Sequence, residues 1–178
     1  TFLKEIKENT VLGGLRGITE PHCYIFQDKA IAKIEPSGWI NTKNSKSYLF
    51  HLHKLYVLDS ERSSGVGTAF MQEIKRCADE AGAVIFLYAA NFNLSNEDEG
   101  LPYGFGDMND LIRYWRMNYL TYTGNDDALR QWYERMGFFN ACTHDGQEWI
   151  PQHYSQYRNQ FVYIGKNFSG DRDALMQR

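Results

Sequence analysis

The sequence predicts an α/β domain in which strands and helices build one sheet, and three observations support this fold class. The run 48–57 has two largely apolar faces, as expected for a central strand covered on both sides. The run 67–81 carries apolar residues at helical spacing and is followed by Gly82, a typical helix stop. The run 84–90 is a short, continuous apolar strand. This strand–helix–strand order predicts a βαβ unit with neighbouring parallel strands.

The other predicted elements lie on both sides of this unit. Residues 1–15 read as a short helix and loop, and Cys23–Phe26 and 30–34 read as two strands of a hairpin. Residues 36–38, Pro-Ser-Gly, are expected to end that hairpin, and 41–47 is a polar loop. Further along, helices are predicted at 107–118 and 126–136, and a late strand at 161–164.

Strict alternation along 48–57 predicts which side chains share a face. The side chains predicted on one face are Leu49, His51, His53, Leu55 and Val57, and those on the other are Tyr48, Phe50, Leu52, Lys54 and Tyr56.

Composition limits the classes of function. The 178 residues are enough for one domain, predicted to span 1–178. A net charge of −3 does not favour nucleic acid as a partner and suits small cationic amines. The three cysteines are far apart and form no CxxC, which predicts no disulfide framework, no metal site and a cytoplasmic location. No apolar run approaches the roughly 18 residues that span a bilayer, so neither a signal peptide nor a membrane partner is expected.

A short glycine turn separates the central strand from the first long helix. Its residues are Arg62, Ser63, Ser64, Gly65, Val66, Gly67 and Thr68. Helix N-termini leave backbone N–H groups unpaired, and glycines allow a pyrophosphate to approach them closely. The turn lacks the GK[ST] of a P-loop and the third glycine of the dinucleotide fingerprint. Taken alone, it could simply connect two elements.

Two motifs give the turn a context. Leu55-Tyr56-Val57 followed by Arg62-x-x-Gly65-x-Gly67 resembles the acetyl-CoA signature of the GNAT N-acetyltransferase superfamily. The segment 127–138, which ends in Tyr-Glu-Arg-Met-Gly-Phe, resembles the late helix of that family. The resemblance covers about 48–93 and 126–138. It implies a central mixed, mostly antiparallel sheet with one splayed parallel pair, flanked by helices.

The resemblance also implies roles for individual residues, with acetyl-CoA as the co-substrate. The backbone of Leu55, Tyr56 and Val57 would pair with the pantetheine arm, and 62–68 would hold the pyrophosphate. Tyr133 would donate a proton to the leaving CoA thiolate, although a core aromatic at a helix end is the alternative. The asparagine that the family carries before its late helix is displaced here. Asp126 stands in its place with Asn125 adjacent, and Asn93, like Asn91, follows the preceding strand instead, so these are the candidates.

The pair His51 and His53 is similar to the arylalkylamine, or serotonin, N-acetyltransferase branch, where two histidines carry the amine proton away. The chemistry needs such a group, because a protonated amine cannot attack a thioester and an imidazole titrates near neutrality. The resemblance therefore implies a small primary amine, an arylalkylamine or a polyamine, as acceptor. Each histidine could instead be a packed core residue.

Residues 94–124 depart from the family pattern. In the family, the strand after the first helix is followed within a few residues by the late helix, whereas here this insertion separates them. The insertion is rich in aromatic and acidic side chains, and we expect a lid over the acceptor pocket. An acidic loop with a packing helix is the alternative. Two other functions are compatible with the sequence, namely acetylation of a protein or peptide amine and non-catalytic binding of acetyl-CoA. The sequence is also compatible with either a monomer or a homodimer. A toxin that acetylates charged tRNA would need a basic face.

Overall fold

One seven-stranded mixed sheet organises the part of the chain that the computed structural model describes, which is residues 15–17, 22–41, 46–89, 92–94, 108–115, 120–122, 127–140 and 160–173. The strands are β1 Leu15–Gly17, β2 Cys23–Phe26, β3 Ala30–Asn41, β4 Lys46–Val57, β5 Val84–Tyr88, β6 Phe92–Leu94, β7 Leu120–Tyr122, β8 Phe139–Asn140 and β9 Gln160–Ile164. The helices are α1 Val66–Ala81, α2 Met108–Trp115 and α3 Asp127–Arg135.

The sheet has the order β1-β2-β3-β4-β5-β9-β8, and β6 pairs with β7 in a separate two-stranded ribbon. Strands β4 and β5 are parallel, as the strand–helix–strand order predicts, and the other neighbours in the sheet are antiparallel. The predicted mixed, mostly antiparallel sheet with one parallel pair and flanking helices is therefore confirmed.

Two apolar layers cover the two faces of the sheet. Helices α1 and α3 pack on one face, where Phe70, Ile74 and Tyr133 join side chains of β2 to β5 in the largest core cluster. On the opposite face, α2 packs against β2, β3 and β4 through Met108 and Leu111. Within the described ranges, no helix is long and apolar enough to cross a membrane.

Strand β3 is longer than predicted. The residues Pro36, Ser37 and Gly38 do not end the hairpin, because β3 continues to Asn41, which pairs with Lys46. From Pro36 to Trp39 β3 advances three residues while β4 advances two, and Gly38 has a φ of 102° there. A bulge with a glycine at positive φ lets a strand absorb an extra residue, and proline is tolerated at such irregularities. Of the predicted loop 41–47, Asn41 lies in β3, Lys46 and Ser47 lie in β4, and 42–45 is outside the described residues.

A second bulge changes the faces of β4. Ile34 pairs with Leu52 and Lys33 with Lys54, so His53 is the extra residue on β4. A bulge of this kind reverses the alternation of side chains beyond it. Before the bulge the side chains that enter the α1 core come from Phe50 and Leu52, and after it they come from Leu55 and Val57, while Tyr56 packs on the α2 face. The predicted sharing of one face by Leu49, His51, Leu55 and Val57 is therefore wrong.

The remaining predictions differ mainly at element ends. Helix α1 starts one residue earlier than predicted and ends at Gly82, whose φ of 65° supplies the left-handed cap. Strand β5 is shorter than the predicted 84–90, α3 shorter than 126–136, and β9 begins one residue before 161. The helix predicted in residues 1–15 lies outside the described residues except for Leu15, which is in β1. Cys23 and Cys77 are buried free thiols, and Cys142 is outside the described ranges.

The insertion contains regular structure at both ends and in the middle. Strands β6 and β7 bracket it as an antiparallel ribbon, and α2 falls within the predicted helix 107–118. Met108 and Leu111 are buried against Cys23, Ile25 and Ile31. This part of the insertion is a packing helix, as the alternative interpretation has it, while the acidic residues 97–99 are outside the described residues.

Candidate functional site

A gap opens in the sheet where β4 and β5 part. The two strands pair only at Leu49–Val84, Phe50–Ile85 and His51–Phe86. Beyond these pairs β4 continues to Val57, while β5 stays hydrogen-bonded to β9 as far as Tyr88. The bulge at His53 lies directly after the last β4–β5 pair, where bulges increase local twist and bend a strand away from its neighbour. Among the described residues, β5 thus makes no ladder pair with β4 from Leu52 onward.

This gap is one side of a cavity of about 510 Å³, which we call the splay cleft. It lies between the β5-side edge of β4, the end of β5, the start of α1 and the inner side of α3. The predicted site residues that line it are His53, Leu55, Tyr56, Val57, Arg62, Ser63, Gly65, Val66, Gly67, Thr68 and Tyr133. A cavity of this size is typical of small-molecule sites.

The start of α1 presents backbone amides that no side chain caps. Gly65 is the N-cap residue with a φ of 86°, and no side chain makes a capping hydrogen bond there. The first N–H groups of a helix have no partner within the helix, and the helix dipole makes this end favourable for anions. Gly67 lies so close to β4 that an added Cβ would stand 3.4 Å from Cγ2 of Val57. The glycines thus keep the amides accessible from the cleft.

The side chains of the turn are engaged with the protein itself. The Arg62 guanidinium lies 4.9 Å from the centre of the Tyr56 ring, and its Nε is 3.3 Å from Oδ1 of Asp59. The Ser64 hydroxyl donates a hydrogen bond to the Glu61 carbonyl, and Ser64 does not line the cleft. Backbone amides, rather than free side-chain donors, are therefore the main anion-binding groups that this turn offers.

Tyr133 reaches the cleft from α3. Its ring is buried, 8% exposed, and packs against Trp132, Phe138 and Phe161 at centroid distances of 5.0, 5.6 and 6.0 Å. Burial raises the pKa of Tyr133 well above its ordinary value, so its phenol is a neutral donor throughout the physiological pH range. The same side chain is thus both a core aromatic and a donor at the cleft, so the two interpretations of Tyr133 do not exclude each other.

Trp132 is more than a packing residue. Its Nε1 donates a hydrogen bond of 3.2 Å to Oγ1 of Thr68, in the first turn of α1. This bond joins α3 to the helix start that faces the cleft. Trp132 and Tyr88 both line the cleft, and sequence reasoning assigned neither of them to a site.

The two histidines are in contact, but only one lines the cleft. Their ring centroids are 3.8 Å apart. His51 stacks on Phe86 at 4.5 Å and meets Tyr88 edge-on at 5.6 Å. Burial lowers the pKa of His51 to about 3, and the neighbouring His53 adds to this shift against the opposing effect of Glu35. His51 is therefore a neutral, packed ring.

His53 has a charged partner. Its Nε2 is 2.9 Å from Oε2 of Glu35, whose other oxygen, Oε1, is 3.1 Å from Nζ of Lys33. Burial lowers the pKa of His53, while the Glu35 carboxylate acts to raise it. Burial acts to raise the pKa of Glu35, but the hydrogen bond from Lys33 and the charges of His53, Lys33 and His22 outweigh it and lower that pKa.

Sequence reasoning missed Glu35 because it ended the second strand of the hairpin at Ile34. The residue opposite His51 in the register is Glu35. A longer strand would have included the carboxylate, but its place beside the histidine pair depends also on the bulge between Lys33 and Ile34.

The two candidates for the displaced asparagine are described only in part. Asn93 lies in β6, where it pairs with Thr121, and its side chain is outside the described part of the structure. Asp126 is outside the described residues. Within the described ranges, no group of three or more His, Cys, Asp or Glu side chains is arranged to hold a metal ion.

No protein-family model and no curated protein matches the sequence. Solved structures are similar at low identity. A mutant of the AtaT toxin, bound to the C-terminus of the antitoxin AtaR and acetyl-CoA, is 13% identical with a TM-score of 0.40, over 94% of this chain and 77% of that one. Naa20 of Chaetomium thermophilum in complex with a bisubstrate analogue is 11% identical with a TM-score of 0.42, over 96% and 90%. An aminoglycoside 6′-N-acetyltransferase complexed with coenzyme A is 12% identical with a TM-score of 0.36, over 92% and 88%. These values are too low to define what this chain binds.

Proposed function

We propose that this chain is an acetyl-CoA-dependent N-acetyltransferase of the GNAT superfamily, which transfers the acetyl group to a small primary amine by direct attack. One observation carries the proposal. The edge of β4 that has parted from β5, an uncapped helix start and a buried neutral tyrosine meet in a single cleft, and this supports the roles that the two sequence motifs imply.

The cleft offers complementary groups along the length of acetyl-CoA. The amides at the start of α1 bind the pyrophosphate by donating hydrogen bonds to it, because the first N–H groups have no side-chain cap and lie at the positive end of the helix. The β5-side edge of β4 at Leu55, Tyr56 and Val57, which lies beyond the last β4–β5 pair, binds the amides of the pantetheine arm as an added strand would. The thioester then lies near the bulge, between His53 and Tyr133.

Two side chains move protons in the reaction. His53 accepts a proton from the ammonium form of the acceptor, which frees the nitrogen lone pair. The amine nitrogen forms a bond to the thioester carbonyl carbon, and the carbon–sulfur bond of acetyl-CoA breaks as the tetrahedral intermediate collapses. Tyr133 donates its phenolic proton to the departing thiolate. The second proton of the attacking nitrogen and the proton held by His53 leave to solvent, and Tyr133 is reprotonated from solvent.

The small acceptor is supported by the walls of the cleft. Tyr88, Trp132 and Tyr133 give it an aromatic lining, which suits an amine attached to an apolar or aromatic body. The overall net charge of −3 favours the approach of a cation.

The test is a turnover assay with acetyl-CoA and a panel of arylalkylamines, polyamines and peptide amines, with detection of free CoA thiol. We expect turnover with at least one small amine and a loss of about a hundredfold in His53→Ala. Glu80→Ala is the control, since it truncates an exposed residue of α1 that lies outside the cleft. Binding of acetyl-CoA without turnover of any amine would leave a non-catalytic module and overturn the proposal.

A further inference from the structure

We propose that Glu35 is a positioning residue for His53, holding the imidazole in one tautomer and stabilising the imidazolium that forms during proton transfer. The inference rests on the proposed function and adds a residue that neither motif contains. Its basis is the contact between Nε2 of His53 and Oε2 of Glu35 at 2.9 Å, across the bulge of β4.

The bulge explains why this contact forms. His53 is the extra residue of β4, and no residue of β3 stands opposite it. Bulges re-aim the side chain of the extra residue. Glu35 of β3 stands opposite His51 of β4, so the contact between His53 and Glu35 runs diagonally between the two strands. The orientation of His53 at the wall of the cleft is therefore set by a side chain that does not itself line the cleft.

The contact also selects a tautomer. A carboxylate only accepts hydrogen bonds, so Nε2 of a neutral His53 must carry the hydrogen that it donates to Glu35. The basic nitrogen of the ring is then Nδ1. When a proton moves from the acceptor ammonium to Nδ1, the ring becomes a cation, and the Glu35 carboxylate, which stays ionised, stabilises it.

The charges around the pair act in both directions. Lys33 holds the second oxygen of Glu35 at 3.1 Å, which fixes the carboxylate and keeps it ionised. The cations Lys33 and Lys54 oppose the charged form of His53, and burial does so most strongly. His51 is in ring contact with His53, and His22 acts on Glu35. Glu35 is the group in this set that favours a protonated His53, so its removal must make His53 a weaker base.

The experiment compares Glu35→Gln with the wild type in two readouts. In the pH dependence of kcat/KM for one amine, we expect the acid limb to move down by about 1 unit, because an opposite charge at hydrogen-bond distance raises a pKa by at least that much. The rate at neutral pH falls about tenfold, because a weaker base accepts the proton less readily. In the protein without acetyl-CoA, an NMR titration of the His53 ring shows the same downward shift. Glu35→Asp restores part of both effects.

Glu73→Gln is the matched control, since it removes a carboxylate that pairs with Arg76 on α1, outside the cleft. An unchanged acid limb and an unchanged His53 titration in Glu35→Gln would overturn the positioning role of Glu35. Turnover by the wild type would in that case still support the proposed acetyltransferase function. Absence of turnover in the wild type would instead overturn the proposed function. Titration of His53 would then still report whether Glu35 controls its pKa.

Discussion

Tyr133 combines two properties that rarely occur together, namely burial in the main core and access to a cavity. Removal of its hydroxyl leaves the ring contacts with Phe138 and Phe161 in place. We therefore predict that Tyr133→Phe lowers kcat at least tenfold and leaves the affinity for acetyl-CoA and the free energy of unfolding nearly unchanged. Steady-state kinetics, calorimetry and urea denaturation measure the three quantities.

Tyr163→Phe is the control for Tyr133→Phe. The Tyr163 hydroxyl donates a 2.6 Å hydrogen bond to Oδ1 of Asp79, outside the cleft. Its loss should reduce the free energy of unfolding by about 1 kcal/mol and spare kcat. Wild-type kcat in Tyr133→Phe would remove the tyrosine from the proton-transfer step.

His51 gives the fold a pH dependence of its own. Its folded-state pKa of about 3 lies below the unfolded value, so the unfolded chain binds a proton that the folded chain excludes. The stability that follows is fully present above about pH 6.5 and is lost as the pH falls from there toward 3. We predict that His51→Phe, which keeps the stack on Phe86, reduces the loss of unfolding free energy between pH 7 and 5 by about 2 kcal/mol. Urea denaturation at the two pH values tests this, and equal losses in variant and wild type would contradict it.

At the level of single elements, the start of α1 is the clearest target. In Gly67→Val the added side chain would fill the narrow space between the helix and Val57 and cover the first amides. We predict that this substitution weakens acetyl-CoA binding at least tenfold without unfolding the protein, as measured by calorimetry and circular dichroism.

Ala69→Val is the matched control, because it places the same residue on the same helix at an exposed position outside the cleft. It should lower the helix propensity by about 0.5 kcal/mol and leave the affinity intact. Similar affinities in Gly67→Val and the wild type would show that the helix start does not bind the pyrophosphate.

The strands show where the sequence is informative and where it is not. Apolar runs predicted the elements β2, β4, β5 and β9 because burial depends on local composition. The two bulges escaped prediction, since each depends on how β3 and β4 pair, and register is a property of both strands together. Strand β8 is only two residues long and carries no periodic pattern.

The residues of the candidate site likewise separate into those that the sequence predicts and those that depend on how elements pack. The glycine turn and Tyr133 stand in motifs, and both line the cleft. Glu35 carries no motif, and its contact with His53 arises from strand pairing and a bulge. Trp132 likewise acquires its bond to Thr68 only through the packing of α3 on α1.

At the level of the whole molecule, α2 has a packing role, whereas α1 and α3 border the cleft. Tyr56 is a cleft residue that packs on the opposite face. There α2 covers the sheet through Met108 and Leu111, and none of the described residues of α2 lines the cleft. We predict that Leu111→Ala reduces the free energy of unfolding by about 3 kcal/mol, because it leaves a cavity beside Ile31 and Tyr56. Acetyl-CoA affinity per folded molecule should stay at the wild-type value.

Denaturation and calorimetry on the same sample of Leu111→Ala measure both quantities. Met136→Ala on the α3 side of the sheet is a useful comparison, as it opens a cavity in the cluster that contains Tyr133. Loss of acetyl-CoA affinity in folded Leu111→Ala would show that the α2 face contributes to the site.

The central claim is that main-chain amides of the β4 edge and of the α1 start bind acetyl-CoA. Hydrogen–deuterium exchange on the wild-type protein, with and without saturating acetyl-CoA, measures those amides directly. The account predicts slower exchange at Leu55–Val57 and at Gly65–Thr68, with little change in α2. Unchanged exchange in both segments, or protection confined to another part of the chain, would contradict it.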